Sequence, residues 1–176
     1  MTIKKKLIVE IQSNIFDLTN KKISKKEISK KIIPIFDYIS SSKKKLILLS
    51  GAQGVGKTTI LEILNNHFKK YYGKKILSLS LDDFYYDKDY RNNLSNTIHP
   101  LMITRGVPGS HDIDKINEII KKFKHSDYPI KIPIFDKLKD TRKSKFRIIK
   151  KKCDILILEG WCCGALPIQN QYLYKN

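Results

Sequence analysis

One segment of eight residues constrains this chain more than any other part of its sequence. The segment reads Gly51-Ala52-Gln53-Gly54-Val55-Gly56-Lys57-Thr58 and matches the pattern G-x-x-x-x-G-K-[ST]. The apolar run 46–49 precedes it, and in residues 60–68 after it the apolar positions recur at helical spacing. A buried strand, a glycine-rich turn and a helix in this order form a phosphate-binding loop, so the sequence predicts an anion site at the start of the helix.

The glycines, the lysine and the threonine of this loop each have a chemical role. Gly51 and Gly56 let the backbone bend and approach a phosphate, and successive backbone N–H groups then surround the anion. Lys57 would place its ammonium on the β- and γ-phosphates of a nucleotide as a catalytic cation, and the Thr58 hydroxyl would be a ligand of Mg²⁺. ATP and Mg²⁺ are the predicted cofactors. The residues predicted to bind ATP are Gly51, Ala52, Gln53, Gly54, Val55, Gly56, Lys57, Thr58 and Thr59.

Alternating and apolar runs elsewhere predict the rest of an α/β fold. Residues 75–81 alternate as a second strand, and residues 154–160 form a third, apolar strand. A helix with one apolar face is predicted from Ile113 to Phe123, and Asp112 is placed to cap it. Residues 129–135 contain two prolines and are predicted to be a loop or an edge strand. Strands that alternate with helices indicate a parallel sheet with flanking helices.

Two acids follow the second and third strands. Because the carboxyl ends of parallel strands face the ligand, Asp82 and Glu159 are expected to converge on the phosphate site. Glu159 would hold the metal or its waters, and Asp82 would take the proton of an acceptor hydroxyl as a catalytic base. A solvated acid or a helix cap at each strand end is the alternative.

The first 45 residues predict a helical extension rather than a second domain. They contain 12 Lys and 4 acids. Ser24 and Glu27 have the spacing of a capping box at the start of a helix. Pro34 is expected to end that helix and to sit in the first turn of the next one. The predicted organisation is an N-terminal helical extension, 1–45, followed by a P-loop domain, 46–176.

The net charge of +18 does not by itself indicate a nucleic-acid partner. Of the 35 cationic residues 31 are Lys and 4 are Arg, while Ile occurs 28 times and Ala twice. A base-composition bias of the gene explains this pattern, and Arg is the residue that nucleic-acid recognition prefers. Nucleic-acid binding is therefore not expected. The Lys runs 4–6, 43–45 and 150–152, and the histidines His67 and His125, are expected to be solvated.

Several classes of protein are disfavoured by composition. No apolar run approaches the ~18 residues of a membrane span, so no membrane association is expected. Three cysteines, two of them adjacent, do not make a disulfide framework or a metal-binding spacing. These features predict a cytoplasmic protein.

Five segments together carry a resemblance to a known family. The chain resembles the D-glycerate 3-kinases of the plant and fungal type, within the P-loop kinases that include phosphoribulokinase, uridine kinase and pantothenate kinase. The P-loop alone indicates the superfamily, Asp-Asp-Phe-Tyr with Glu-Gly narrows it to these kinases, and the remaining two segments favour the glycerate kinases. The segments are GAQGVGKT (51–58), LDDFY (81–85), TRGVPGSHD (104–112), IPIFDK (132–137) and ILEGW (157–161).

The resemblance implies an ATP-dependent phosphotransferase that converts D-glycerate to 3-phosphoglycerate. It implies that Asp82 is the catalytic base and that Glu159 lies near Mg²⁺. It also implies that a small acceptor, glycerate or a similar hydroxy acid, is bound by two segments, with Arg105 as the first choice for the carboxylate. The residues of these two segments are Arg105, His111, Asp112, Asp136 and Lys137. An inactive nucleotide-binding remnant, or a kinase of the uridine kinase or phosphoribulokinase type with another acceptor, is the alternative.

Relatives of this type continue beyond the Glu-Gly-Trp motif. Their further strand would lie beside the P-loop strand, and their basic lid closes over the phosphates. The resemblance therefore predicts a partial domain, incomplete at its C-terminus, in which the strand at 46–49 has an unpaired edge. The alternatives are a truncated gene product, one part of a split enzyme, or a domain completed by a partner chain that supplies the missing lid and strands.

Overall fold

The computed structural model describes residues 2–166 of the chain. The last residues of the predicted segment 46–176 lie outside the described part. The α-helices are α1 (Ile3–Thr19), α2 (Lys25–Glu27), α3 (Ile33–Ser41), α4 (Lys57–Tyr72), α5 (Lys88–Thr97) and α6 (Ile113–His125). The strands are β1 (Leu46–Ser50), β2 (Ile76–Ser80), β3 (Ile130–Ile132), β4 (Phe135–Asp136), β5 (Thr141–Arg142), β6 (Arg147–Ile149) and β7 (Ile155–Gly160).

A parallel sheet of three strands, in the order β1-β7-β2, organises the fold. The register pairs Leu49 of β1 with Glu159 of β7, and Glu159 with Ser80 of β2. All three strands therefore end at the same edge of the sheet, which also carries the loop that follows β1. The predicted α/β architecture, a parallel sheet with flanking helices, is confirmed.

The central strand β7 is buried on both faces because each face is covered by helices. Ile155 and Ile157 pack into a cluster formed with α1, α3 and α4, whereas Leu156 and Leu158 pack into a second cluster formed with α6. Successive side chains of a strand point to opposite faces, so one continuous apolar run fills two cores. This layering fixes the position of Glu159 at the end of the strand.

The N-terminal helices share the first of these clusters. Leu7 and Ile11 of α1 and Phe36 of α3 are buried against α4, the helix that follows the P-loop. The capping box is confirmed, since the Ser24 hydroxyl accepts from the Glu27 N–H at 3.1 Å and Glu27 Oε2 accepts from the Ser24 N–H at 3.2 Å.

The expectation that Pro34 ends a helix is wrong. The chain stays helical from Lys25 to Ser41, because a π-helical segment, Ile28–Ile32, joins α2 to α3. Proline has no N–H for the usual bond to the fourth preceding carbonyl, and the wider π-helical bonding before it lets the chain continue. Pro34 itself lies in the first turn of α3, as predicted.

Short elements connect β2 to β7 and were in part predicted. Residues 130–132 form an edge strand that pairs antiparallel with β6, in agreement with the prediction for 129–135. Helix α5, the 3-10 turns Leu81–Phe84 and Pro100–Ile103 and the small ladder β4–β5 were not predicted.

One edge of the main sheet is open in the described part of the chain. Between residues 2 and 166, β1 pairs with β7 alone, and 48 % of Leu48 on this strand is exposed. This agrees with the unpaired edge that the resemblance implies. No helix within residues 2–166 is both long and apolar enough to cross a membrane.

Candidate functional site

The loop between β1 and α4 has the geometry of an anion-binding turn. Gly54 and Gly56 have φ angles of 80° and 91°, a left-handed backbone that favours glycine. Gly51 is needed for another reason, because a Cβ there would lie 3.1 Å from Cγ2 of Val55. The loop leads directly into α4, so its N–H groups and the positive end of the helix dipole face the same space.

Lys57 is held back over this loop. Its Nζ donates to the carbonyl oxygens of Gly51 at 2.7 Å and Ala52 at 2.9 Å. Thr58 and Thr59 follow in the first turn of α4. The ammonium group is therefore fixed at the mouth of the loop, where the terminal phosphates of a nucleotide would lie.

A cavity of about 330 Å³ lies beside the loop and brings most of the predicted chemistry together. A neighbouring cavity of about 410 Å³ shares Thr58, Asp82, Lys137 and Glu159 with it. Trp161, which is 41 % exposed, forms part of the wall. The residues that line the first cavity are Gln53, Gly54, Lys57, Thr58, Asp82, Lys137, Glu159, Gly160 and Trp161.

The two acids reach the cavity from adjacent strands. Glu159 is buried near the end of β7, and its Oε1 accepts a hydrogen bond of 2.6 Å from the Ser80 hydroxyl of β2. Asp82 lies in the 3-10 turn that follows β2, and its Oδ2 lies 2.6 Å from Nζ of Lys137. The pairing brings a carboxylate and an ammonium group together at the cavity wall.

Asp83 connects the two segments of the chain that carry Asp82 and Lys137. Its Oδ1 accepts from the Phe135 N–H at 3.1 Å. Burial raises the pKa of the Asp83 carboxyl, although the Phe135 N–H and the charge of Arg147 act in the opposite direction. Asp83 thus fixes the position of β4 relative to the turn that holds Asp82.

His111 lies close to the site without lining either cavity. Its ring stacks on Tyr85 with centroids 4.2 Å apart, and its Nε2 is buried with no hydrogen-bond partner among residues 2–166. Burial lowers the pKa of His111, and the charge of Asp82 opposes this. Burial of the ring therefore favours the neutral form of this imidazole.

Three of the predicted acceptor residues are engaged in other contacts. Asp112 caps α6 by accepting from the Lys115 N–H at 2.9 Å, and it also pairs with Arg142 at 3.0 Å. Asp136 accepts from two backbone N–H groups of its own turn, each at 3.1 Å. Arg105 lies 3.2 Å from Asp140 and over the ring of Phe135. None of Asp112, Asp136 and Arg105 lines the cavity beside Lys57.

Sequence reasoning missed the arginines that support this region. Arg91 is 1 % exposed, and it pairs with Asp140 at 2.7 Å and donates to the Tyr86 carbonyl at 3.0 Å. Arg142 donates to the Tyr85 carbonyl at 2.8 Å. Arg91 meets Asp140 across 49 residues and Arg142 meets Tyr85 across 57, so no local sequence pattern marked either arginine.

The donor set at the cavity fits Mg²⁺ only together with a ligand. Within residues 2–166 no group of three His, Cys, Asp or Glu residues could hold a metal ion by itself. Mg²⁺ usually takes one or two protein oxygens and completes its shell with phosphate oxygens and water. The Thr58 hydroxyl and the Glu159 carboxylate line the same cavity and are oxygen donors of this kind.

Comparison with solved structures identifies the fold. The chain is similar to a D-glycerate 3-kinase from Cryptococcus neoformans var. grubii, with 26 % identity, a TM-score of 0.65 and coverage of 84 % of this chain and 56 % of that one. The fold is that of the P-loop kinases. The phosphate-binding loop, α4 and the parallel strands that carry Asp82 and Glu159 are the parts of this fold that form the cavity.

Curated proteins with sequence similarity are also kinases. A protein named "Probable ATP-dependent kinase TDA10", from Saccharomyces cerevisiae, is 32 % identical over 151 residues, which cover 78 % of this chain and 52 % of that protein. A uridine kinase from Anoxybacillus flavithermus is 31 % identical over 123 residues, which cover 67 % of this chain and 52 % of that protein. The chain spans about half the length of these curated relatives. No family model matches it.

Proposed function

We propose that this chain is the nucleotide-binding part of an ATP-dependent kinase whose acceptor is a small hydroxy acid of the D-glycerate type, phosphorylated to 3-phosphoglycerate. One observation carries the proposal: Lys57, Thr58, Asp82 and Glu159 line the same cavity at the carboxyl ends of three parallel strands. A phosphate cradle, a metal-binding oxygen pair and a base in one place are what phosphoryl transfer to an alcohol needs.

The chemistry follows from these positions. The acceptor oxygen attacks the γ-phosphorus of ATP, the bond to the bridging oxygen of ADP breaks, and the hydroxyl proton passes to the Asp82 carboxylate. Lys57 and the N–H groups of the loop stabilise charge on the phosphate oxygens. Thr58 and Glu159 would hold Mg²⁺, which neutralises part of that charge when it is bound.

Lys137 supports an anionic acceptor. Among the predicted acceptor residues it is the one that lines the cavity, where its Nζ lies 2.6 Å from Asp82. An ammonium group next to the base can hold the carboxylate of a hydroxy acid while its hydroxyl faces Asp82. The similarity to a D-glycerate 3-kinase supports the same class of acceptor, whereas the similarity to a uridine kinase supports a nucleoside acceptor instead.

The edge of β1 that is open within residues 2–166 supports the addition of a partner chain. A row of unpaired N–H and C=O groups on an apolar strand is a surface that another strand can pair with. A partner chain that adds a strand there, together with a lid, would complete the cavity on the side of Leu48. Activity therefore has to be measured both with the chain alone and with such a partner.

A coupled assay of ADP release tests the proposal with D-glycerate, uridine, pantothenate and ribulose 5-phosphate as acceptors. D-glycerate is expected to be the preferred acceptor. Asp82→Asn is expected to lower kcat by roughly 10²–10⁴ with nearly unchanged ATP affinity. Asp89→Asn is the control, because it changes an exposed carboxylate that lines neither cavity, and it should cost less than about tenfold.

Two outcomes would replace the proposal. Phosphorylation of uridine without phosphorylation of D-glycerate would assign the chain to the nucleoside kinases. ATP binding without turnover of any acceptor, with and without a completing partner, would mean a nucleotide-binding protein that does not catalyse.

A further inference from the structure

Six lysines line a third cavity, at the end of the sheet opposite to the P-loop. This cavity has a volume of about 310 Å³ and lies at the amino ends of β1 and β7. Strand β1 separates it from the P-loop by five residues, which is about 16 Å of extended chain. The fold brings residues of two of the three Lys runs, 43–45 and 150–152, to this cavity, where they remain exposed as expected. The lysines that line the cavity are Lys43, Lys44, Lys45, Lys74, Lys124 and Lys152.

Lysine is more frequent around this cavity than in the chain as a whole. Lysine makes up 31 of 176 residues in the chain but 6 of the 12 residues that line this cavity. Asp154 is the one acid among these 12 residues, and its Oδ2 already accepts from the Lys75 N–H at 2.7 Å. Within the described residues, none of the six lysines forms an ion pair.

The carboxyl-terminal ends of two helices offset part of the positive charge of these lysines. Helices α3 and α6 both end at the cavity, where Ser42 and Ser126 follow their last turns. Lys74 donates to the Ser40 carbonyl at 2.8 Å, and Lys124 lies in the last turn of α6. Each helix end carries about half a negative charge.

Within residues 2–166, the rest of the positive charge of the six lysines is not neutralised by neighbouring groups. Asp154 and the two helix ends together offset about two of the six positive charges. Lys43, Lys45 and Lys152 lie in the loops before β1 and β7 and contact no helix end through a hydrogen bond within residues 2–166. About four positive charges therefore face a concave space of small-molecule size.

We propose that this cavity binds a small polyphosphate, that is, a ligand with two or more phosphate groups. Several unpaired ammonium groups around one space match several negative charges rather than the single charge of a carboxylate, and lysine binds phosphate as a point charge. A concave space of this volume fits a compact ligand better than a nucleic acid, which needs an extended basic stripe. The site is independent of phosphoryl transfer and lies away from the ATP cavity.

Calorimetric titration of the full chain with inorganic tripolyphosphate tests this site. The background is Lys57→Ala, which weakens the P-loop as a competing polyphosphate site. The cavity variant combines Lys43→Gln, Lys45→Gln and Lys152→Gln. The control variant combines Lys21→Gln, Lys26→Gln and Lys30→Gln, which removes the same charge from exposed positions of the N-terminal region.

The cavity variant is expected to bind tripolyphosphate at least about tenfold more weakly, whereas the control variant stays within about twofold. If the cavity variant does not fold, Lys152→Gln alone is measured, with an expected loss of about threefold. Equal losses in both variants would assign the binding to net charge and overturn the proposal. Undetectable binding would also overturn it, and so would a cavity-dependent preference for an oligonucleotide over tripolyphosphate.

Discussion

Arginine and lysine have separate roles in this chain. Arg91 and Arg105 both contact Asp140, at 2.7 and 3.2 Å, but Arg91 is 1 % exposed whereas 34 % of the Arg105 side chain is exposed. The guanidinium of Arg91 also donates to the carbonyls of Tyr86 and Ile103. Lysine cannot satisfy three acceptors in one plane, so the buried position depends on arginine.

This difference predicts unequal effects of the same substitution. Arg91→Lys is expected to lower the free energy of unfolding by about 2–4 kcal/mol, because it leaves buried acceptors and a carboxylate without partners. Arg105→Lys is the matched control and is expected to cost less than about 1 kcal/mol. Urea unfolding measures both. Equal costs would show that the Arg91 network does not support the fold.

Gly160 lies next to Glu159 and is closely surrounded. A Cβ at this position would lie 2.7 Å from Cβ of Leu81 and 2.9 Å from Sγ of Cys163. Gly160→Ala is therefore expected to destabilise the fold by about 1–3 kcal/mol and to displace the turn that carries Asp82. A Cβ at Gly73 would lie in open space, so Gly73→Ala is expected to lower the free energy of unfolding by only about 1 kcal/mol, the cost of alanine in a left-handed backbone conformation. A Gly160→Ala chain as stable as the Gly73→Ala chain would contradict this packing.

Helices α1 and α4 meet through a buried polar contact. His67 of α4 is 8 % exposed, so the expectation that it is solvated is wrong. Its ring nitrogens lie 3.4 Å from Oε2 of Glu10 and 3.2 Å from Oδ1 of Asn14, both on α1. Helical periodicity places His67 on α4, but only the packing of α1 against that face buries it.

This contact predicts a dependence of stability on pH. Burial lowers the pKa of His67 from 6.5, and Glu10 only partly opposes the shift. The unfolded chain therefore binds a proton at a higher pH than the folded chain, and stability falls as the pH decreases through and below 6.5. His111 acts in the same direction.

Urea unfolding between about pH 7.5 and 5.5 measures this effect. His67→Gln is expected to lose less stability on acidification than the unmodified chain, because one of the two buried imidazoles is removed. His125→Gln, at an exposed position, should leave the slope unchanged. A slope that His67→Gln does not alter would show that His67 takes up its proton equally in both states.

Local sequence patterns were sufficient for the elements that surround the P-loop. The apolar strands, the helix after the loop and the caps at Ser24 and Asp112 depend on neighbours within a few residues, and all were predicted. The contact between Glu159 and Ser80 follows from the parallel register, since both lie at strand ends.

The contacts that the sequence did not reveal are distant along the chain. Arg91 meets Asp140 across 49 residues, and neither lies in a periodic pattern. Asp136 and Lys137 are adjacent in sequence, yet of these two only Lys137 lines the cavity. The Asp136 carboxylate instead accepts hydrogen bonds from backbone N–H groups of its own turn. Turn geometry and pairing between distant segments determine which of these side chains reach the cavity, and neither is visible as a local sequence pattern.

At the scale of the whole molecule, the sheet separates the cavity beside Lys57 from the cavity lined by six lysines. The carboxyl ends of the strands carry the loop with Lys57, and the amino ends carry the cavity with six lysines. The two differ in construction, because the first combines backbone N–H groups with carboxylates, whereas the charged residues that line the second are six lysines and one aspartate. This difference is the reason why we propose the nucleotide site at the first cavity.

The central claim is that the cavity beside Lys57 binds Mg·ATP. Calorimetric titration of the full chain with Mg·ATP measures this directly, with Lys57→Ala as the test and Lys69→Ala, an exposed position on the same helix, as the control. Lys57→Ala is expected to bind Mg·ATP at least about tenfold more weakly and Lys69→Ala with unchanged affinity, because of these two lysines Lys57 is the one held over the phosphate loop. Equal affinity of the unmodified and Lys57→Ala chains would contradict it.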